Sequence, residues 1–286
     1  MYLGLDLGTS GLRAILVDGA GVIRASAERT YPVARPRAGW SEQNPDDWIA
    51  ACRDAVAELR SAHPKLLPAL KAVGLSGQMH GATLLGRDDA ALRPCILWND
   101  TRAHAEAAEL DAIPAFRRIS GNIVFPGFTA PKLAWVRNNE PDTFEKTVKV
   151  LLPKDYLRLW LTGGHVSDMS DSAGTSWLDV GRRAWSDELL AASRMRREQM
   201  PDLVEGSDVS GTLRRSLAAE WGVAGNVQVV GGGGDNAAAA CGAGCFGEGQ
   251  GFVSLGTSGV VLAARDSFSP NPQTAVHTFC YAIPGT

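Results

Sequence analysis

Tyr2-Leu3-Gly4-Leu5-Asp6 runs into Leu7-Gly8-Thr9-Ser10-Gly11 and on into Leu12-Arg13-Ala14-Ile15-Leu16-Val17-Asp18. The same pentapeptide, Leu255-Gly256-Thr257-Ser258-Gly259, returns between Gly251-Phe252-Val253-Ser254 and Val260-Val261-Leu262-Ala263. Each copy is a small-residue loop between two apolar runs, the pattern of a strand–loop–strand hairpin. Glycine lets a backbone approach phosphate oxygens closely, and the Thr and Ser hydroxyls add donors. Gly8, Thr9 and Ser10 are therefore read as one phosphate loop, and Gly256, Thr257 and Ser258 as a second. Two such hairpins in one chain imply a duplicated architecture with a nucleotide between the halves. Two ordinary hairpin turns are the bland alternative.

Outward from the first hairpin, Asp18-Gly19-Ala20-Gly21 reads as a turn and Val22 to Thr30 as a third strand, which makes an antiparallel meander. Asn44 as N-cap and Pro45 at the first helical position open a helix over Asp46 to Ser61. Ala72 to Ser76 is a strand that feeds Gly77-Gln78-Met79-His80-Gly81. Further helices are expected at Arg102 to Ala112, Ala130 to Asn139, Lys154 to Leu161, Asp187 to Ala192 and Leu213 to Trp221. Ser167 to Thr175 reads as a polar loop outside the core. Val227 to Val230 is a buried strand that enters four glycines, and Asp235 to Gly242 an alanine-rich helix. A leading meander followed by alternating strands and helices argues for an α/β domain with a mixed sheet and flanking helices. The first domain is taken as residues 1–246. Gly247-Glu248-Gly249-Gln250-Gly251 resembles a hinge, and residues 247–286, ending in a strand over Ala275 to Ile283, are too short to close a second core. The chain is accordingly expected to be a fragment, or to pack its last segment on something beyond itself.

Several residues in this frame have the chemistry for a reaction. Asp6 ends the first strand immediately before the first loop, where a carboxylate can hold magnesium, directly or through water, while the loop holds phosphate; the alternative is a carboxylate capping a turn. Arg13 on the same hairpin is either a phosphate contact or a surface arginine. In Gly231-Gly232-Gly233-Gly234-Asp235-Asn236, an aspartate opens a helix whose positive end favours its ionised form. Such a group can take the proton of an attacking alcohol. A plain cap does not need four glycines before it. Gln78, Met79 and His80 offer an amide, a thioether and an imidazole to a polyhydroxylated ligand; a lone histidine is otherwise a structural residue. Trp98, in Trp98-Asn99-Asp100-Thr101-Arg102, is either a stacking surface for a sugar or core.

The bulk numbers are consistent with a small-molecule enzyme. The 286 residues are 45% hydrophobic with a formal net charge of −3, which argues against a nucleic-acid partner or an anionic membrane surface. No apolar run is long enough to span a bilayer, and a strand beginning at residue 2 leaves no room for a signal peptide, so a cytoplasmic location is expected. Five cysteines without CxxC pairing read as free thiols rather than a metal site. No P-loop motif is present. Gly242-Ala243-Gly244-Cys245-Phe246-Gly247 fits G-x-G-x-x-G but follows a helix, and it is discounted as a dinucleotide motif.

These stretches resemble the FGGY carbohydrate kinases. The resemblance rests on Tyr2 to Gly11, Trp40-Ser41-Glu42-Gln43, Ser76 to Leu85, Ile96 to Asp100, Pro126 to Leu133, Leu152 to Leu159, Gly232 to Ala238 and Leu255 to Gly259. It runs the length of the chain, and Gln78-Met79-His80-Gly81 points within the family to enzymes of D-xylulose rather than of glycerol or gluconate. The resemblance implies a ribonuclease-H-like fold of the actin and hexokinase type. It implies transfer of phosphate from ATP, with Mg2+, to the terminal hydroxyl of D-xylulose. It implies Asp235 as general base, Met79 and His80 as sugar contacts, Asp6 near magnesium and the phosphates, and phosphate contacts from Thr9, Ser10 and the second loop, Gly256, Thr257 and Ser258; Gln78, Trp98, Asp100 and Asn236 are added as candidate sugar contacts, and Gly8 and Arg13 as candidate phosphate contacts. The family usually has lysine at the position of Arg13, and its members continue into a second domain that holds adenine. A sugar-binding module without kinase activity, and a kinase of ribulose or gluconate, are the alternatives. Whether the protein is a monomer or a homodimer stays open.

Overall fold

The computed structural model describes residues 1–255 and 259–285. The expected meander is present. Strands β1 (Tyr2–Leu7), β2 (Gly11–Val17) and β3 (Ile23–Thr30) pair antiparallel, with Asp6 opposite Arg13 and Leu7 opposite Leu12. Leu3, Leu5, Leu7, Leu12, Ala14 and Leu16 all point to one face and are almost wholly buried. A one-residue slip would turn those leucines to solvent at about 1.5–3 kcal/mol each, so the hydrophobic pattern itself fixes the register.

The buried face is covered by helix α1 (Pro45–Ala62), through Trp48, Ala51, Cys52, Ala55, Val56 and Leu59. The Asn44 side-chain oxygen accepts from the Asp46 amide at 3.2 Å, Pro45 stands in the first turn, and Asp46 and Asp47 sit at its positive end. The chain then enters β4 (Ala72–Gly77), parallel to β1. Helices α2 (Thr129–Asn139), α3 (Pro153–Thr162), α4 (Met169–Ser172) and α5 (Arg215–Trp221) belong to the middle of the chain. Strands β5 (Val209–Thr212), β6 (Gln228–Val230) and β7 (Gly233–Gly234) complete a mixed sheet of order β5-β6-β4-β1-β2-β3, with β7 on the far half of β4. Helix α6 (Asp235–Gly242) follows directly. Among the described residues, strands β8 (Gly251–Leu255) and β9 (Gly259–Ala263) pair only with each other.

Two expectations fail. Ser167 to Thr175 is not an exterior loop: Val166–Asp168 is a short strand, α4 follows, and every residue from Ser167 to Thr175 is buried. Its polarity misled the reading because its carboxylates are neutralised inside the protein rather than by water. Ala275 to Ile283 is not a strand; it is an irregular segment whose Thr278 backbone is bound by the amide of buried Asn122, with N–H to Oδ1 at 2.8 Å and Nδ2 to carbonyl at 2.9 Å. A side chain takes the place of a neighbouring strand there. No helix among the described residues is long and apolar enough to cross a membrane.

Candidate active site

The first glycine loop is held from four sides. The Tyr31 hydroxyl donates to the Gly8 carbonyl at 2.6 Å, and the Gln43 amide donates to the Thr9 carbonyl at 2.6 Å. The Gln78 amide donates to Gln43 Oε1 at 2.9 Å, while Trp48 Nε1 donates to the same oxygen at 3.0 Å. The Trp98 indole N–H reaches Thr9 Oγ1 at 2.9 Å. Gln43 and Gln78 are only 2% exposed, so their amides are committed to one another and to the loop. Buried amides that are fully partnered rigidify what they hold.

Asp6 projects from the end of β1 and is exposed. Its cross-strand partner Arg13 turns its guanidinium to Glu28, at 3.6 Å. Asp6 pairs in register with Ser76 of β4, and Ser76 with Gly233 of β7. At the usual spacing of about 4.8 Å between strands, the backbones of Asp6 and Gly233 lie roughly 10 Å apart, with Asp235 two residues further on. The two carboxylates sense each other. Burial raises the Asp235 pKa, the Asn236 backbone N–H at 2.7 Å opposes it, and the charge of Asp6 adds to the rise. Asp235 nevertheless remains open to solvent. It stands at the first helical position, with Gly234 as N-cap. Desolvation and the charge of Asp6 therefore act against the positive helix end at this carboxyl.

The four glycines are there for packing. Between the pairs Val229↔Val73 and Gly233↔Ser76 this strand advances four residues while β4 advances three, which is a one-residue β-bulge. Gly232 takes φ +72°, and a Cβ there would lie 1.9 Å from the Leu75 carbonyl oxygen. At Gly234 a Cβ would lie 2.7 Å from Met79 Sδ. The glycine run thus lets the thioether of Met79 rest on the residue just before Asp235. His80 follows at φ +68°, its Nδ1 2.8 Å from the Gly174 carbonyl and its ring 4.7 Å from that of Phe128. Asn236, partly exposed, donates from Nδ2 to Asp235 at 2.9 Å. The first loop, Asp6, Asp235 and Asn236 therefore lie at the ends of β1 and β7 on either side of the end of β4, with Met79 buried against Gly234 and His80 following it.

The profile of the FGGY family of carbohydrate kinases, N-terminal domain, matches residues 1–242. The chain belongs to this family. It is 51% identical over 285 residues to the xylulose kinase of Escherichia coli (strain K12) and 52% identical over 286 residues to that of Klebsiella pneumoniae. These alignments cover 99% and 100% of the chain but 58% and 59% of the relatives. The fold superposes with a TM-score of 0.98 and 63% identity on the crystal structure of a xyloylose kinase from Brucella ovis, covering 99% of this chain and 59% of that one. The chain thus spans about three fifths of the length of the relatives it matches. The mixed sheet with flanking helices is the FGGY N-terminal fold.

Within this FGGY domain several expected site residues lie elsewhere. Asp100 is not at the surface. Its oxygens accept from the Ser41 amide at 2.6 Å, from the Arg102 backbone N–H at 2.9 Å, and from Arg102 Nε and Nη2 at 2.9 and 2.7 Å, and its side chain is fully buried. It shapes its loop and has no lone pair left for a sugar. Gln78 turns to the first loop for the reason given above. Trp98 is 44% exposed and is not core; its N–H serves Thr9. Gly256, Thr257 and Ser258 lie outside the described residues.

Other residues escaped the sequence reading. Lys154, wholly buried, pairs with Asp155 at 2.6 Å, Asp168 at 2.6 Å and Asp171 at 3.1 Å. Burial works against its charge, but the three carboxylates outweigh that and hold its pKa above the ordinary value. Asp168 accepts from Ser170 Oγ at 2.5 Å, and Ser170 Oγ in turn accepts from the Gly234 amide at 3.1 Å. Arg158 donates to the Val230 carbonyl at 2.6 Å and to the Gly231 carbonyl. A buried ionic cluster therefore grips the glycine bulge from behind, at Val230, Gly231 and Gly234, the last of them next to Asp235. The clue was Lys154-Asp155 beside the acidic Ser167–Thr175 run, which polarity alone assigned to solvent. A separate groove of about 430 Å³ between α1 and α5, lined by Arg53, Arg60, Glu220 and Trp221 among others, contains none of the site residues.

Proposed function

We propose that this chain supplies the sugar-binding and proton-accepting half of a kinase that transfers the γ-phosphoryl group of ATP to the terminal hydroxyl of D-xylulose, giving D-xylulose 5-phosphate. The observation that carries the reading is the seat of Asp235: next to Gly234 on Met79, within the field of Asp6, and open to solvent. The identity to xylulose kinases supports the choice of sugar. Asp235 takes the proton from the hydroxyl as its oxygen attacks phosphorus, and the hairpin loop with Thr9 and Ser10 aligns the phosphates. Phosphoryl transfer needs mainly positioning and charge stabilisation, which rigid loops provide.

Asp6 fits a magnesium site. Among the described residues its carboxylate is engaged in no ion pair within 4.0 Å, it is exposed, and it adjoins the loop. Magnesium is commonly held by one or two carboxylates together with substrate phosphates. When bound, the ion would neutralise charge on the transferring phosphates. Residues 247–286 are read as the start of a second domain, carrying the second phosphate loop, and the reaction is placed in the cytoplasm, where ATP is supplied.

The test is Asp235→Asn in the full-length enzyme, with ADP release followed on D-xylulose, D-ribulose and D-gluconate. Loss of a general base costs about 10²–10⁴ in rate, with sugar affinity retained within a few-fold. An unchanged rate would reject Asp235 as the base, and a preference for ribulose or gluconate would reject the sugar.

A further inference from the structure

Beneath the sugar-facing turn lies a lysine without a carboxylate. Lys132 on α2 is 0% exposed, and among the described residues no acidic oxygen lies within 4.0 Å of its amine. It makes two hydrogen bonds, both to carbonyls: His80 O at 2.8 Å and Gly127 O at 2.6 Å. One helical turn earlier Thr129 Oγ1 donates to the same His80 carbonyl at 3.2 Å. An ammonium has three N–H groups and a neutral amine two, so the site is matched to the amine. Consistently, burial pushes the Lys132 pKa down to about 7, with nearby Arg102 adding to the fall and Cys95 and Asp100 opposing it.

What Lys132 holds is unusual. His80 has φ +68°, a left-handed conformation that a side-chain-bearing residue keeps only when its surroundings impose it. The imidazole is fixed as well. A carbonyl only accepts, so the 2.8 Å contact from Gly174 places the proton on Nδ1. Gly174 must be glycine for this, because a Cβ there would lie 2.4 Å from the ring. Nε2 then carries a lone pair, and it has no protein partner among the described residues. The charged and titratable groups that act on the ring are Lys132 and His277; with burial they keep it neutral, its pKa pushed down to about 3.

We propose that Lys132 is a positioning residue: by holding the His80 carbonyl it locks the left-handed turn in which His80 Nε2 faces the sugar as a hydrogen-bond acceptor only, and so selects a hydroxyl rather than a carbonyl at that point of the substrate. The proposal rests on the reading of His80 as a sugar contact. An acceptor-only nitrogen cannot serve the ketone oxygen of a ketose, which is left to a donor such as the Asn236 amide.

Histidine-selective ¹⁵N NMR of the intact chain tests this, with His80 assigned by its loss in His80→Asn. In wild type His80 should show the neutral Nδ1–H tautomer unchanged from pH 5.5 to 8. A proton on Nε2, or a titration near pH 6.5, overturns the proposal without any variant. In Lys132→Met, His80 should pass to averaged tautomers and titrate at least one pH unit higher; an unchanged spectrum overturns the role of Lys132. Thr129→Val, which keeps the shape and removes the weaker bond to the same carbonyl, should move the signals in the same direction by less. It carries the test should Lys132→Met not fold. D-xylulose should shift the wild-type Nε2 resonance. A fixed tautomer with no response to sugar would overturn the sugar reading of His80 and leave the hold of Lys132 on the turn standing.

Discussion

Replacing Lys154 by methionine should be among the costliest single changes in this protein. The amine touches three carboxylates, at 2.6, 2.6 and 3.1 Å, and all four groups are fully buried. Methionine fills a similar volume, so little of the loss comes from a cavity. What remains is two or three buried negative charges facing Arg158 alone, which reaches Asp155 at 3.4 Å. Removing one partner of a buried ion pair costs about 3–5 kcal/mol. That is a fifth or more of the ~5–15 kcal/mol by which a domain is stable. At about 2–4 °C per kcal/mol, it corresponds to a fall in Tm of roughly 6–20 °C. The comparison is Asp171→Asn. Burial already raises the pKa of Asp171, with Lys154 acting against the rise, so an uncharged amide should cost less than half as much. Losing the ammonium drives Asp171 higher still. A folded-state pKa raised above the unfolded value favours the folded state as pH falls, so the deficit of Lys154→Met should be smaller at pH 5 than at pH 8. Urea denaturation of both variants at the two pH values decides the matter. A loss below 1 kcal/mol for Lys154→Met, or a deficit that grows toward low pH, refutes the charged cluster as described.

Three further outcomes follow from the site. Gly234→Ala puts a methyl 2.7 Å from Met79 Sδ. Because the thioether is flexible, the change should displace it at a cost of about 1–2 kcal/mol while weakening D-xylulose binding at least tenfold by calorimetry. Asp6→Asn removes a negative charge that raises the Asp235 pKa. Carbon-detected NMR should therefore show Asp235 titrating at lower pH in that variant, and a rise would contradict the coupling. His80 is neutral in the fold, with its pKa near 3 against 6.5 for the free side chain. Its contribution is intact above pH 6.5 and is lost as pH falls toward 3. Between pH 6.5 and 5 this amounts to ~2 kcal/mol, and His80→Asn, which tolerates the left-handed turn, should flatten that slope in denaturation curves.

Much of this was legible in the chain. The period-two leucines of β1 and β2, the Asn44-Pro45 helix start and the position of Asp235 follow from local rules, and they stand in the structure where the sequence puts them. What was hidden depends on partners distant in sequence. Asp100 and Gln78 have the chemistry of sugar ligands, but Ser41 and Arg102 fill the carboxylate of one, and Gln43 and the first loop engage the amide of the other. Ser167–Thr175 looks like solvent-exposed chain until Lys154 and Arg158 are brought beneath it. Lys132 carries no local mark at all, since a lysine on a helix is ordinarily a surface residue. The glycine run stands out in the sequence, but what it makes way for, the backbone of Leu75 and Glu205 and the side chain of Met79, does not.

The bulge in that run has an arithmetic consequence. Side chains along a strand alternate with period two, so one inserted residue reverses the parity of everything after it. Val229 and Gly233 are four apart in sequence while their partners Val73 and Ser76 are three apart, so the two stand on opposite faces of the sheet, where an unbroken strand would put them on one. A single unpaired glycine thus acts as a phase shifter, re-timing the strand against its neighbour just before the acid.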